Sequence, residues 1–188
     1  GQLTVLLDDL GGSDPNVVIN ALTIERALPV QLDLGTASSP VASGYSRVTQ
    51  ASTYSQAAGH GWRGGIIQAR DRGTANPLTR DFNFTPFGLF GLFLQNGLYD
   101  ITAVVGDPTT AHDEMGVSVQ GAAAASFTTA RNQVSLHTWR TCVCDKGLEV
   151  LLEDLGGSDA NVVLDAITVR EPPLLKFAFG TALSPIAK

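Results

Sequence analysis

The chain has 188 residues, of which 44% are hydrophobic and 16% are charged, and its formal net charge is −6. This length suits one domain or one and a fraction, and the composition excludes a disordered chain. No apolar run reaches the roughly 18–20 residues of a membrane span, and no basic patch favours nucleic acid. Frequent Gly, Ser, Thr and Val indicate a turn-rich β protein.

The start of the chain is repeated near its end. Residues 3–42 align without a gap to residues 148–187, at an offset of 145 (148 − 3), and about half of the aligned positions are identical. A period of this length matches a whole domain rather than a solenoid repeat. The copies diverge around prolines, which break strand pairing and mark linkers at 25–29 and 170–173.

These boundaries predict one complete domain and parts of two others. Residues 28–172 form the complete domain, residues 1–27 are the C-terminal strands of a preceding repeat, and residues 173–188 are the N-terminal strand of a following repeat. Two strands are expected within residues 3–24. Their apolar side chains are costly to leave in water, so we expect another repeat or another molecule to cover them.

Aromatic and basic residues follow in the first half of the domain. Tyr54, His60 and Trp62 lie near one another in sequence and can form a sugar-stacking site, or Trp62 can pack at a sandwich edge. Arg72 and Arg80 can bind a uronic acid carboxylate, or they can pair with neighbouring aspartates and fix a long loop.

Period-two alternation predicts short antiparallel strands further along the chain. Each predicted strand has one apolar face, and these faces are Tyr99/Ile101/Ala103/Val105, Met115/Val117/Val119, Leu148/Val150/Leu152 and Val162/Leu164/Ala166. Asn-Gly, Asp-Pro and Gly-Gly turns separate them. Five of the eight Phe fall within residues 82–93, where the pattern favours core packing over an aromatic ligand platform, because Phe lacks a polar edge. The predicted fold is an all-β antiparallel sandwich of the jelly-roll kind.

Acidic residues near the strand ends are candidate metal ligands. Asp107, Asp154 and Asp159 offer oxygen atoms on loops, which suit calcium, although such residues also close turns through their own backbone contacts. His112 and Asp113 are candidate ligand-binding residues, or they form a hydrogen-bond network that holds a turn. No Gly-x-Ser-x-Gly nucleophile motif accompanies them, so the sequence predicts no catalysis.

Cys142 and Cys144 are the two cysteines of the chain. Residues at i and i+2 of a strand point to the same face, and a direct bridge between them would strain the strand. Two buried thiols, an unusual close bridge and a disulfide to another chain remain the alternatives, and the last would suit a secreted polymer.

A series of short motifs resembles a known family. In order, these are Leu34–Tyr45, Gly59–Trp62, Asp71–Gly73, Leu78–Phe82, Asn96–Ile101, Gly106–Asp107, His112–Met115 and Asp154–Asn161. They resemble the galactose-binding-like β-jelly-roll accessory domain found beside rhamnogalacturonan acetylesterases and in large secreted bacterial proteins. The resemblance covers nearly all of residues 31–169. It implies a carbohydrate-binding-module-like fold, often with bound calcium, and no catalytic role.

Two functions follow as expectations. The first is a structural repeat unit of a secreted bacterial surface or filament protein, in which copies of the chain assemble head to tail and share strands. The alternative is a non-catalytic carbohydrate-binding module for a pectin-like or galactose-containing polysaccharide. Both place the protein outside the cell or on its surface, without nucleic acid and without membrane insertion.

Overall fold

The computed structural model describes residues 5–18 and 29–172. The predicted strand at 173–188, most of the first linker and the ends of the segment 3–24 lie outside the described residues. The described residues form these strands: β1 (Val30–Gly35), β2 (Ser46–Thr49), β3 (His60–Gly65), β4 (Gln68–Asp71), β5 (Asp81–Thr85), β6 (Phe87–Phe93), β7 (Gly97–Asp107), β8 (His112–Val119), β9 (Ala125–Thr129), β10 (Gln133–Val143), β11 (Gly147–Asp154), β12 (Val162–Leu164) and β13 (Ala166–Arg170).

The strands form three sheets. One sheet has the order β10-β7-β13-β1-β2, a second has the order β3-β6-β11-β8-β9, and a small third sheet has the order β12-β5-β4. All pairs within these sheets are antiparallel except β1 with β2, which is parallel. This architecture confirms the predicted all-β sandwich. The structure places no helix long and apolar enough to span a membrane in the part of the chain that it describes.

The predicted apolar faces lie in the core between the two large sheets. Ile101 and Val105 of β7, Val117 of β8 and Val150 of β11 are all fully or almost fully buried. They come from strands that alternate inward and outward side chains, which is why period-two patterning located them correctly.

The last predicted strand differs from the prediction. Residues 162–169 form two strands in two sheets, β12 beside β5 and β13 between β7 and β1. Val163, Leu164 and Asp165 are consecutively buried, because the chain crosses there from one sheet to the next and has no outward-facing side. Simple alternation therefore does not hold at this crossing.

Several motif residues fix loops of this fold. The Asp81 carboxylate accepts hydrogen bonds from the Thr36 backbone N–H at 2.7 Å and from the Ser39 hydroxyl. Asn83 donates its Nδ2 to the Gly35 carbonyl at 2.9 Å. A Cβ on Gly35 would lie 1.7 Å from the Asp81 Oδ2, so glycine leaves room for this carboxylate. The loop after β1 is thus held against β5.

Residues 5–18 contain no strand, in contrast to the strands expected within 3–24. Leu6, Leu10 and Val18 are among the most exposed large hydrophobic side chains of the described residues. Within residues 5–18 and 29–172, no strand pairs with this segment.

Candidate functional site

An open cleft of about 240 Å³ lies between the small third sheet and two loops. One loop joins β7 to β8, and the other follows β11. The cleft is lined by Arg70, Arg72, Phe82, Phe84, Thr110, Ala111, His112, Asp159 and Asn161. Aromatic, guanidinium, imidazole, carboxylate and amide groups therefore converge on one small volume.

Two phenylalanines and two arginines form one wall of the cleft. The Phe82 and Phe84 rings meet edge to face with centroids 6.0 Å apart. The Arg70 guanidinium carbon lies 5.3 Å from the Phe84 centroid, and the Arg72 guanidinium carbon lies 5.6 Å from the Phe82 centroid. Antiparallel pairing of β4 with β5, with Arg70 opposite Phe82, brings these side chains to the same face.

The two arginines differ in what their guanidinium groups already contact. Arg72 donates to both Asp107 carboxylate oxygens, from Nε at 3.1 Å to Oδ1 and from Nη2 at 2.6 Å to Oδ2. Arg70 is exposed and makes no ion pair among the residues that the structure describes. Arg70 is therefore the guanidinium in this wall that is available to a ligand.

A buried carboxylate anchors the opposite side. Burial raises the pKa of Asp107, but hydrogen bonds from Arg72, Thr109 and His112 outweigh burial and hold that pKa below its usual value. His112 Nε2 lies 3.3 Å from Asp107 Oδ2, and its Nδ1 contacts Asp159 Oδ2. His112 thus links the ionised Asp107 to the loop after β11 and is held in one orientation.

Asp113 organises that loop. Its carboxylate accepts from the Ser158 N–H at 2.9 Å, the Ser158 hydroxyl at 2.8 Å and the Asp159 N–H at 2.9 Å. These hydrogen bonds lower the pKa of Asp113. Asp159 Oδ1 in turn accepts from the Asn161 side chain at 2.9 Å. Asp113, predicted as a ligand-binding residue, instead positions Asp159 and Asn161 at the cleft.

Trp62 takes the packing alternative and does not form a stacking surface. It is 5% exposed, packs edge to face on Phe90 with ring centroids 5.1 Å apart, and donates Nε1 to Asn83 Oδ1 at 3.2 Å. Core packing and this hydrogen bond explain why a tryptophan occupies the position. His60 is half-buried beside the same Phe90, with ring centroids 6.4 Å apart.

The other predicted ligand-binding residues lie outside the cleft. Tyr54 is half-buried beneath the Arg63 guanidinium, whose carbon lies 4.1 Å from the ring centroid. Arg80 pairs with Asp71 through Nε at 3.0 Å and Nη2 at 2.8 Å, which matches the loop-fixing alternative. Of the predicted ligand-binding residues, Arg72 and His112 line the cleft.

The predicted calcium ligands do not fit a calcium site. Asp107 is engaged by Arg72 and His112, Asp159 is engaged by His112, and Asp154 accepts from the Gly156 N–H at 2.9 Å to close its turn. The described residues contain no group of three Asp, Glu, His or Cys side chains arranged to hold a metal ion. The contacts of all three aspartates match the turn and network alternative.

Two further aspartates are buried with unpaired oxygens. Among the described residues, no donor lies in hydrogen-bond geometry to either carboxylate oxygen of Asp165 or to the Oδ1 of Asp81. Burial raises the pKa of Asp165 well above its usual value, the charges of Asp107, Asp81 and Asp33 add to that rise, and the nearby Gly106 amide offsets part of it. We therefore expect Asp165 to hold its proton in the folded protein at pH values where an exposed aspartate is ionised.

Both cysteines are exposed and unbonded. Cys142 lies opposite Leu98 near the end of β10, an edge strand, and Cys144 lies just beyond that strand. The alternative of two buried thiols is therefore wrong, and the intermolecular disulfide stays a prediction.

Sequence reasoning missed Arg70, Phe82, Phe84 and Asn161 as cleft residues. The signal was present as two period-two pairs, Arg70/Arg72 and Phe82/Phe84. Each pair alone is typical of one face of an ordinary strand. The pairing of β4 with β5 brings the two pairs together as one wall of the cleft.

Comparisons with known proteins support the fold. No family model matches the sequence. A segment of 102 residues is 38% identical to β-agarase A of Zobellia galactanivorans and covers 52% of this chain but 18% of the agarase. The protein YxiM of Bacillus subtilis aligns with a TM-score of 0.61 and 19% identity, over 77% of this chain and 40% of YxiM.

A second solved structure is a calcium-binding mutant of Bacteroides uniformis β-glucuronidase 2. It aligns with a TM-score of 0.56 and 13% identity, over 79% of this chain and 18% of the glucuronidase. The chain thus spans less than half the length of each of these proteins, and none of them is described as a filament subunit. The fold is the galactose-binding-like β-jelly-roll that the motif series predicted.

Proposed function

We propose that this chain is a non-catalytic carbohydrate-binding module whose ligand occupies the cleft beside Arg70. The observation that carries the proposal is the unpaired Arg70 guanidinium stacked on Phe84, facing Asp159 and Asn161 across the same cleft. Guanidinium, carboxylate and amide groups together donate to and accept from sugar hydroxyls. The apolar edge of Phe84 can cover the C–H face of a sugar ring.

The geometry favours a saccharide over a small anion. Arg72, the second positive group, is already neutralised by Asp107, and Asp159 adds a negative group to the opposite side. A sugar ligand, neutral or uronic, has hydroxyl groups that can donate to Asp159 as well as groups that accept from Arg70, whereas a small anion without hydroxyl groups has nothing to donate to Asp159. The partial match to a protein named β-agarase A supports a galactose-containing polysaccharide, and Arg70 keeps a pectin-like uronic acid as the alternative. Such ligands lie outside the cell, so we propose an extracellular or cell-surface location.

Binding measurements with charge-matched variants test this proposal. The protein is titrated calorimetrically with agarose oligosaccharides, galactan fragments and oligogalacturonate. Arg70→Ala removes hydrogen bonds from a charged group, worth about 1.5–3 kcal/mol, and should weaken binding by about 10- to 100-fold. Arg131→Ala removes the same charge from an exposed turn between β9 and β10 and should bind as the wild type does. Equal binding by both variants would contradict the cleft, and no binding to any glycan would contradict the function.

We propose a second function on the basis of the exposed apolar side chains of residues 5–18. Their exposed Leu6, Leu10 and Val18 favour a repeat unit of a secreted surface or filament protein, in which copies of the chain cover these side chains by sharing strands. Light scattering after size-exclusion chromatography tests it. Concentration-dependent oligomers are expected, and a stable monomer at high concentration would contradict it.

A further inference from the structure

The C-terminal segment (residues 148–169) completes all three sheets. It supplies β11 between β6 and β8, β12 beside β5, and β13 between β7 and β1. Val150 and Leu152 of β11 and Val162 and Val163 at β12 are fully buried. The sandwich therefore cannot close unless these strand positions are filled.

The N-terminal copy (residues 3–24) carries the same apolar residues in the same register. Val5, Leu7, Val17 and Val18 correspond to Val150, Leu152, Val162 and Val163 at the offset of 145. Their exposed fractions are 48%, 51%, 45% and 77%. Burying a side chain of this size is worth ~1.5–3 kcal/mol, so the segment would gain stability in the positions that its counterpart occupies.

The turn of the N-terminal copy forms two of the local hydrogen bonds of its counterpart. Asp9 Oδ1 accepts from the Gly11 N–H at 2.9 Å, and Asp154 Oδ1 accepts from the Gly156 N–H at 2.9 Å. The Asp-Asn step recurs as well, from Asn16 Nδ2 to Asp14 Oδ1 at 2.7 Å and from Asn161 Nδ2 to Asp159 Oδ1 at 2.9 Å. These shared hydrogen bonds are independent of the strand pattern, and they show that both copies reverse direction with the same local contacts.

The chain connection also permits the replacement. Val30 of β1 pairs with Val169 of β13 in an antiparallel ladder. Ile24 corresponds to Val169, so it would stand opposite Val30 with the five residues 25–29 between them. Antiparallel neighbours are commonly joined by loops of two to five residues, so this connection is an ordinary hairpin.

One sequence difference favours the N-terminal copy. Asn20 stands at the position of Asp165, whose carboxylate is fully buried with unpaired oxygens. A neutral amide at that position avoids the cost of burying a carboxyl group that must also keep its proton. Asn20 is therefore compatible with the environment that Asp165 occupies.

We propose that the jelly roll has one set of strand positions and two interchangeable segments to fill it. Residues 3–24 can replace residues 148–169 within the same chain and close a circularly permuted domain of residues 3–147. In a series of linked repeats, each domain could then close with the strands that follow it or with those that precede it. The proposal concerns the assembly of the fold and does not depend on carbohydrate binding.

A rescue experiment on the full chain tests this proposal. Val150→Asp with Leu152→Asp places two charges in the core and prevents residues 148–169 from closing the domain. The N-terminal copy should then replace them, so the variant should keep β-type circular dichroism, cooperative urea unfolding and the mass of a monomer. Val5→Asp with Leu7→Asp is the matched control and should fold as the wild type does. The variant with all four substitutions should be unfolded.

A crosslink identifies the segment and the chain that supplies it. Leu151 lies opposite Leu89 of β6, and Leu6 corresponds to Leu151. In the Val150→Asp, Leu152→Asp variant with both native cysteines changed to serine, Leu6→Cys and Leu89→Cys should form a disulfide within one chain. Leu10→Cys with Leu89→Cys is the out-of-register control and should not.

The outcomes separate clearly. An unfolded Val150→Asp, Leu152→Asp variant, or a folded one without the Leu6–Leu89 crosslink, would overturn the proposal. A crosslink that joins two chains would also overturn closure within one chain, and it would favour strand sharing between units instead. A folded monomer with the crosslink inside the chain supports the proposal.

Discussion

The buried Asp33 contributes a stability that falls as the pH rises, which is opposite to the usual effect of an aspartate. Asp33 lies on β1, is 3% exposed, and accepts a hydrogen bond from the Ala42 N–H at 2.7 Å. Burial raises its pKa from 3.8 to about 6, and the charge of Asp81 adds to the rise, although the Ala42 amide and Arg47 oppose it. Between these two values the folded chain binds more protons than the unfolded chain. The contribution of Asp33 to stability is therefore fully present below pH 3.8 and is lost as the pH rises through about 6.

The magnitude follows from the shift. The difference of 6 − 3.8 corresponds to about 3 kcal/mol at about 1.36 kcal/mol for each pKa unit. Asp33→Asn keeps a carbonyl acceptor for Ala42 and cannot ionise. Relative to the wild type, its free energy of unfolding should rise by about 3 kcal/mol between pH 3.5 and pH 7, which is roughly 6–12 °C in Tm.

Urea unfolding at half-unit steps from pH 3.5 to 7.5 measures this difference. Asp8→Asn, which removes one exposed negative charge from residues 5–18, controls for the change in net charge. A difference between Asp33→Asn and the wild type that does not change with pH would refute the reasoning. So would a variant that is less stable than the wild type at pH 7, since the carboxylate would then be worth more than its burial costs.

Three further substitutions test the buried and turn residues. Burial raises the pKa of Asp165, so the wild type should lose stability as the pH rises above 3.8, and Asp165→Asn should not. The repeat has Asn20 at the equivalent position. In the same urea series, lower stability of Asp165→Asn than of the wild type at pH 7 would contradict this. Gly157→Ala combines a positive φ of 89° with a Cβ 2.7 Å from the Asp113 carboxylate, whereas Gly156→Ala has a φ of 121° and open space. Backbone strain of about 1–3 kcal/mol should destabilise both variants, and Gly157→Ala should lose more free energy of unfolding than Gly156→Ala. Equal losses in urea unfolding would argue against a role for Asp113.

The sequence located part of the cleft and misplaced the rest. The sequence predicts Arg72 because its guanidinium can bind a carboxylate and His112 because it lies in an acidic cluster after a strand end, and both line the cleft. For Trp62 the sequence leaves stacking and packing open, since the exposure of an aromatic residue cannot be read from its neighbours in sequence, and the structure places it in the core. Arg70 and Phe84 lie at the cleft because β4 pairs with β5, a contact between strands that no local pattern contains.

The two copies of the repeat separate what the sequence determines from what the tertiary structure decides. The Asp-x-Gly and Asp-x-Asn hydrogen bonds form in both copies, because each joins groups two residues apart and needs no other part of the chain. The strands differ. Val150 is buried in β11, whereas its counterpart Val5 is exposed and belongs to no strand, although both stand in nearly identical sequences. A strand needs the backbone groups of a neighbour and an apolar layer beneath it, and β6 and β8 provide both to residues 148–154. Local sequence therefore fixes the hydrogen bonds between residues two apart in these turns, and tertiary contacts decide which copy becomes part of the sandwich.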